Sequence, residues 1–239
     1  MLNTAELAGA GFSVVVPFYN EGENVTDVLR ELREQLPDAE IVAVDDGSTD
    51  DTWARIQGAA GVRGLRFVSN QGQSAAIYHG LRSTTQPLVG TMDGDGQNDP
   101  ASFRLLLAEF RKGHADVVCG YRASRRDIWS RSVASTIANA IRRFFLDDGV
   151  RDTGCSQRVF RREAIELLVP FRGMHRYLPA IFRHAGLRIT EFPVNHRPRR
   201  GGSSKYSNWR RAIHGIYDLV GVGWLLDRKI IPPQTETKP

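Results

Sequence analysis

The chain has 239 residues, 41% of them hydrophobic, which suits one large α/β domain, or a domain with a tail, built round a real core. The net charge of +5 conceals a split: residues 1–110 carry 7 Lys/Arg against 16 Asp/Glu, while residues 111–239 carry 25 against 11, so the second half suits an anionic partner such as phosphate, nucleic acid or an acidic membrane surface. Two cysteines, Cys119 and Cys155, form no disulfide framework and fit a reduced, cytosolic setting; no secretory signal and no membrane-spanning helix are expected, because no run reaches ~18–20 apolar residues.

Ser13-Val14-Val15-Val16-Pro17 reads as a short buried strand. Val25, Val28, Leu29, Leu32 and Leu36 recur at helical spacing until Pro37-Asp38 breaks the helix. Ile41–Val44 predicts a second strand, Thr52–Ala59 a short helix, Leu65–Ser69 a third strand and Gln73–Leu81 another helix. The apolar run to Met92 is the next strand, with a helix marked by Phe103, Leu106, Leu107 and Phe110 after it and a strand at Asp116–Gly120. Strands alternating with helices predict a mostly parallel sheet covered on both faces. The pattern then changes. Ile128–Phe145 predicts one long helix with apolar residues at spacing four, and extended pieces at Gln157–Phe160 and Leu187–His196 flank helical stretches at Glu163–Leu168 and Tyr177–His184. Asn208–Leu226 closes the ordered chain as a helix, and Ile230–Pro239 reads as a mobile tail.

Chemistry concentrates at strand ends. Asp93-Gly94-Asp95 follows the apolar run and precedes Gly96-Gln97-Asn98-Asp99-Pro100, which ends it. Residues two apart on an extended chain point the same way, so two carboxylates converge at a strand's carboxyl end, where open α/β sheets place ligands. Such a pair suits a hard divalent cation that keeps waters and also holds a diphosphate; a turn rich in Asp and Gly is the plainer reading. Pro17-Phe18-Tyr19-Asn20-Glu21 and Asp45-Asp46-Gly47-Ser48 end two other strands. Asp45 can accept hydrogen bonds from a base N–H or a ribose hydroxyl, and Tyr19 offers a ring face. Asp46-Gly47-Ser48 also reads as helix capping before Thr52. No dinucleotide or P-loop glycine motif is present.

Val-Pro-Phe-Tyr-Asn-Glu, Val-Asp-Asp-Gly-Ser-Thr-Asp and Met-Asp-Gly-Asp-Gly-Gln, in that order, resemble the family 2 glycosyltransferases of GT-A fold. Gly120-Tyr121-Arg122, Asp152-Thr153-Gly154-Cys155 with Val159-Phe160-Arg161-Arg162, and Arg199-Arg200-Gly201-Gly202-Ser203-Ser204-Lys205-Tyr206 narrow the resemblance to polyprenyl-phosphate glycosyltransferases, similar to dolichol-phosphate mannose synthase. The resemblance implies a GT-A catalytic domain over 1–207, with a nucleotide-sugar half at about 11–110 and an acceptor half at about 111–207, then an amphipathic helix and tail at 208–239. It implies nucleoside contacts from Pro17, Tyr19, Glu21 and Asp45, and extends the nucleotide-binding set to Asp46, Gly72 and Gln73. Asp93, Asp95 and Gln97 would hold Mg²⁺ or Mn²⁺ with the diphosphate. Arg122, Arg131 and Ser135 would lie near the acceptor phosphate, with Arg199 and Lys205 closing over the phosphates. One departure stands out: relatives often carry Lys after Asn70-Gln71-Gly72, where this chain has Gln73, so a donor-side cation is missing.

The implied reaction is inverting, metal-dependent transfer of a hexosyl group from a UDP- or GDP-sugar to a polyprenyl phosphate at the cytoplasmic membrane face. A phosphate monoester is largely ionised at neutral pH, its second pKa being about 6, so no catalytic base is strictly required. Neutralising the leaving diphosphate and aligning the acceptor are the main tasks. Asp152 reads either as an orienting group or as a capping or ion-pairing residue. Three rivals remain: the same fold acting on a glycan hydroxyl, which needs a general base; a non-catalytic membrane adaptor that binds nucleotide sugar; and a nucleic-acid binder, for which the basic half lacks a recognisable module. Trp209, Ile213, Ile216, Tyr217, Val220 and Trp224 fall on one side of the last helix, which suits a peripheral place at the membrane interface, packing on the catalytic domain, or pairing with another subunit. A separate membrane protein partner is compatible with the chain.

Overall fold

A computed structural model describes residues 9–123, 146, 148–198 and 208–228, with backbone alone for 208–216. The architecture grows from Phe12–Phe18 (β1), a run so apolar that both its faces must be covered, and all seven residues are buried. It pairs in parallel with Glu40–Asp45 (β2) on one side and Leu88–Thr91 (β4) on the other. Val62–Arg66 (β3) adds the edge beyond β2. On the other flank come Arg158–Arg161 (β6), Val117–Arg122 (β5) and Ile189–Val194 (β7), giving the order β3-β2-β1-β4-β6-β5-β7. The sheet is mostly parallel, as the alternating pattern predicts. β6 is the exception, antiparallel to both β4 and β5.

Helices cover both faces. Gly22–Gln35 (α1), Thr52–Gly58 (α2) and Ser102–Arg111 (α4) pack one side, where Leu29, Leu32, Ile56, Phe103 and Phe110 meet Val14, Val16 and Phe18. Gln73–Ser83 (α3), Met174–His184 (α5) and Asn208–Arg228 (α6) cover the other, where Ile77, Leu81, Phe182 and Leu226 join Val15, Val42 and Phe160. Each fully buried Leu, Ile or Phe contributes about 1.5–3 kcal/mol. Because β1, β2 and β4 run the same way, their carboxyl ends lie along one edge, with Phe18 opposite Asp45. The three motif-bearing strand ends are therefore neighbours.

Some elements differ from the sequence expectation. β3 spans Val62–Arg66 instead of 65–69: the ladder with β2 ends at Asp45–Arg66, Phe67 donates its N–H to the Asp45 carbonyl, and Val68 is left fully exposed. Arg162–Leu167 is a 3₁₀ helix, and α5 starts at Met174, after Gly173 adopts φ +93°. Pro179 lies inside α5 and cannot donate to the carbonyl of His175 four residues earlier. Arg158 of β6 donates to that carbonyl at 3.1 Å. The helix expected at 128–145, together with Arg131, Ser135, Arg199, Lys205 and the tail at 230–239, lies outside the described residues.

α3 lies so close to the sheet that a Cβ on Gly80 would stand 2.4 Å from Val15 Cγ1. Val15 is β-branched and fully buried, so it cannot yield. Gly80→Ala should therefore lower stability by about 1–2 kcal/mol despite alanine's better helix propensity, read from urea unfolding. Unchanged or increased stability would contradict this packing.

Candidate active site

At the carboxyl edge of β1, β2 and β4 lies a cleft of about 210 Å³, walled by Pro17, Phe18, Tyr19, Glu21, Asp46, Gln73, Asp93, Gly94 and Asp95. Four of these are carboxylates, and none of these wall residues is Lys or Arg. Gly94 is required by proximity: a Cβ there would fall 2.5 Å from the Phe18 ring and 2.7 Å from the Pro17 carbonyl. The acidic loop is thereby pressed against the end of β1.

Asp93 is a half-buried member of the cleft wall. Burial, and secondly the neighbouring Asp95 charge, push its carboxyl up to about 6; Ser156, Arg158 and Gln73 partly oppose this. Gln73, the first residue of α3, donates to Asp93 Oδ1 at 2.7 Å. The Asp93 N–H donates to Ser156 Oγ at 3.1 Å. Asp95 Oδ1 accepts the N–H of Gln97 at 3.1 Å, closing an Asx turn through Gly96 at φ +74°. Gln97 is not part of the cleft wall.

The donor-side acids divide the work. Asp46 accepts the N–H groups of Gln71 and Gly72 at 2.7 and 2.9 Å and the Asn70 side-chain amide at 2.9 Å. It thus shapes the turn through Gly72, φ +91°, that starts α3. Burial, with some help from Asp45, raises its pKa, while those N–H groups oppose the shift. Asp45 is fully buried and stays behind the wall. Its Oδ1 accepts the Ser48 N–H at 3.0 Å. Its Oδ2 lies 3.1 Å from Arg66 Nε as an ion pair, without hydrogen-bond geometry. Tyr19 is exposed at the rim. Glu21 Oε2 accepts from Asn24 at 2.6 Å.

Arg122 and Asp152 meet each other but not the cleft. Asp152 accepts from Arg122 Nε at 2.7 Å, Nη2 at 2.8 Å and N at 3.2 Å, and from Gly154 N at 3.1 Å. β5, which carries Arg122, is two strands from β4, roughly 10 Å across the sheet. The ion-pairing reading of Asp152 is the one this geometry matches.

Sequence reasoning did not single out Ser156, Arg158, Ser74 or His175. Arg158 is 2% exposed, donates to the Thr153 and His175 carbonyls, and lies near enough to Asp93 to favour its charge. Ser74 Oγ accepts the Gly173 N–H at 2.9 Å and meets His175 Nδ1 at 2.8 Å, tying the starts of α3 and α5 together. Burial, then Arg176 and Arg158, hold His175 down to about 3, so it is neutral. The available signal was an arginine opening the apolar run Val159-Phe160.

The donor set fits a hard divalent cation in chemistry and in number. Two carboxylates crowd each other at one strand end, and among the described residues no group of three or more His, Cys, Asp or Glu forms a closed metal cage. A cation here would draw its remaining oxygens from water and a diphosphate.

The family described as Glycosyl transferase family 2 matches residues 13–168. Undecaprenyl-phosphate 4-deoxy-4-formamido-L-arabinose transferase of Enterobacter sp. (strain 638) is 34% identical over 217 residues, covering 87% of this chain and 66% of that relative. The protein of that name from Sodalis glossinidius (strain morsitans) is 36% identical with the same coverage. The chain thus spans just under two thirds of these relatives' length. Among solved structures, glucosyl-3-phosphoglycerate synthase from Mycobacterium tuberculosis in complex with Mn²⁺ and UDP-glucose aligns with a TM-score of 0.70 at 22% identity, covering 92% of this chain and 84% of that one. The same enzyme in complex with Mg²⁺ and UDP aligns equally well. At that identity the likeness establishes the fold, which is GT-A as the motifs imply.

The Asp93 shift has a consequence for the metal-free protein. The folded state holds the Asp93 proton up to about pH 6, whereas an unfolded aspartate releases it near 4. Above pH 6 the ionised carboxylate therefore destabilises the fold by up to about 2–3 kcal/mol, and the penalty fades as pH falls from 6 to 4. Asp93→Asn should raise the melting temperature in EDTA at pH 7.5 by several degrees, with no gain left near pH 4. Equal melting of the two proteins at pH 7.5 would contradict this electrostatic picture.

Proposed function

The chain belongs to glycosyl transferase family 2, and on that premise we propose that it transfers a glycosyl unit from a nucleoside-diphosphate sugar to a polyprenyl phosphate, with inversion. The two relatives named above carry an arabinose derivative, a five-carbon sugar, in their names, whereas the motifs imply a hexosyl unit, and the donor screen below distinguishes the two. The catalytic unit is 1–207, followed by the C-terminal amphipathic helix and tail at 208–239.

The carrying observation is the acidic pair Asp93/Asp95 in the wall of a cleft whose other acids are already engaged. Asp93 and Asp95 would hold Mg²⁺ or Mn²⁺, with Gln97 on the same loop but outside the cleft wall, and the cation would neutralise charge growing on the leaving diphosphate. Pro17, Tyr19 and Glu21 bind the nucleoside, while Asp46 and Gly72 set the turn beside it and Asp45, behind the wall, holds the Ser48 N–H. Gln73 holds Asp93 toward the cleft. The acceptor phosphate oxygen attacks the anomeric carbon from the face opposite the diphosphate. The carbon–oxygen bond to the diphosphate breaks as the new one forms, and the nucleoside diphosphate leaves with the electron pair. No proton need be removed from an ionised phosphate, which agrees with Asp152 being bound by Arg122. Arg122, Arg131, Ser135, Arg199 and Lys205 form the acceptor and phosphate set.

The acceptor's lipid chain calls for a membrane surface. Among the described residues no helix is long and apolar enough to cross one. α6 buries Leu219, Val222 and Leu226 while exposing Tyr217, Val220 and Trp224, with Arg228 over the Trp224 ring. That outer face suits the interfacial layer of the inner membrane leaflet, with a peripheral, cytoplasmic enzyme resting on it.

Two experiments test this reading. Incubation with radiolabelled UDP- and GDP-sugars, Mn²⁺ and a polyprenyl phosphate should carry label into organic-extractable lipid, and Asp95→Asn should cut the rate by about 10²-fold or more. No transfer from any donor would overturn the proposal. Replacing Tyr217 and Trp224 by Ala should reduce flotation with anionic vesicles while leaving turnover of a short-chain, soluble acceptor intact.

A further inference from the structure

Asp95 and Gln97 stand on a segment, residues 95–99, that belongs to no helix or named strand. Its shape therefore depends on what grips it. One grip comes from a strand extension distant in sequence: after β7 the chain runs on through Asn195 to Arg197, Asn98 and His196 form an antiparallel bridge, and the Arg197 N–H donates to the Gln97 carbonyl at 2.7 Å. Asn195 donates through its amide to Asp99 Oδ2 at 3.0 Å. The Arg197 guanidinium then spans two elements. One nitrogen donates to Asp99 Oδ1 at 3.0 Å, and the other makes a short ion pair with Glu31 of α1. All three side chains are mostly shielded, at 30%, 22% and 17% exposure, so solvent screens this network less than a surface pair.

Asp99 is the keystone of the segment. Its Oδ1 also accepts the Ala101 N–H, and its carbonyl accepts the Gln157 amide at 2.9 Å. Freed from Arg197, the segment would keep its backbone bond at Gln97 but lose the link that ties it to the rigid α1 helix. Positive φ at Gly96 leaves a soft joint between Asp95 and that link.

The geometry points to Arg197 as a positioning residue for the cation site: by clamping Asp99 to Glu31 it holds the loop that presents Asp95 and Gln97, without touching either the cation or the donor. This rests on the reading of Asp93 and Asp95 as cation ligands. An outer-sphere support of this kind typically alters metal affinity by 10–100-fold.

The test is titration of Mn²⁺ with UDP or GDP, followed by electron paramagnetic resonance, on the wild type, Arg197→Met, Arg197→Lys and Arg188→Met. The last removes an Arg–Asp pair at a distant, exposed place, with Asp116. Arg197→Met should weaken Mn²⁺–nucleotide binding by about 10-fold, Arg197→Lys should recover most of it, and Arg188→Met should bind as the wild type. Amide exchange of residues 97–101 should quicken in Arg197→Met while β1 stays protected. If Arg197→Met does not fold, Glu31→Gln carries the same expectation. A folded Arg197→Met that binds like the wild type overturns the inference, as does an equal loss in Arg188→Met. If the wild type binds Mn²⁺ with neither UDP nor GDP, the cation-site reading fails first, and this inference falls with it.

Discussion

Negative charge is crowded onto one edge of a buried sheet, and much of the surrounding structure exists to keep it there. Asp93 and Asp95 face one cleft because the chain bends at Gly94 just beyond β4 and is pressed there against Phe18 and Pro17, and β1, β2 and β4 are too deeply buried to shift. Their repulsion is answered by several groups: Gln73 at the start of α3, the Ser156 hydroxyl, and the Arg158 charge. A helix N-terminus facing a carboxylate adds a favourable dipole. These groups moderate the repulsion without neutralising it, and the residual strain is what a divalent cation would relieve. A site more stable when empty would have less to gain from binding.

The antiparallel strand β6 makes this balance possible. By entering between β4 and β5 it carries Ser156 and Arg158 to the end of β4. Arg158 also supplies the donor that Pro179 cannot, so one guanidinium bonds the start of α5 while its charge favours ionised Asp93. Ser74 and His175 complete the join between α3 and α5. Packing on one face of the sheet is thereby coupled to the geometry of its functional edge.

The donor-side acids show how similar residues acquire different tasks. Asp45 and Asp46 are adjacent in sequence, yet pleat alternation sends one behind the wall and the other into it. Asp46 faces the cleft but is saturated by N–H groups of the 70–72 turn, which limits what it can offer a ligand. Asp152 is likewise engaged, by Arg122 and the Gly154 N–H. Among the acids of the cleft wall, Asp93 and Asp95 are the two that oppose each other's charge.

Much of this was legible in the sequence. Apolar runs and helical periodicity located the strands and helices of the first half to within a few residues, because those signals reflect burial, which each residue registers by itself. The place of Asp93-Gly94-Asp95 at the end of an apolar strand was legible, but the expected extended spacing was not what brought the two side chains to one cleft, since the chain bends at Gly94 and Asp95. β3 was misplaced because Phe67 and Val68 are apolar, yet the ladder with β2 ends before them. The antiparallel direction of β6, the placing of Arg158 near Asp93, the withdrawal of Asp45, and the pairing of Arg122 with Asp152 were decided only by the tertiary structure. Each depends on which strand lies beside which, and a strand's neighbour in space is set by packing between segments far apart in the chain, which no local pattern of residues encodes.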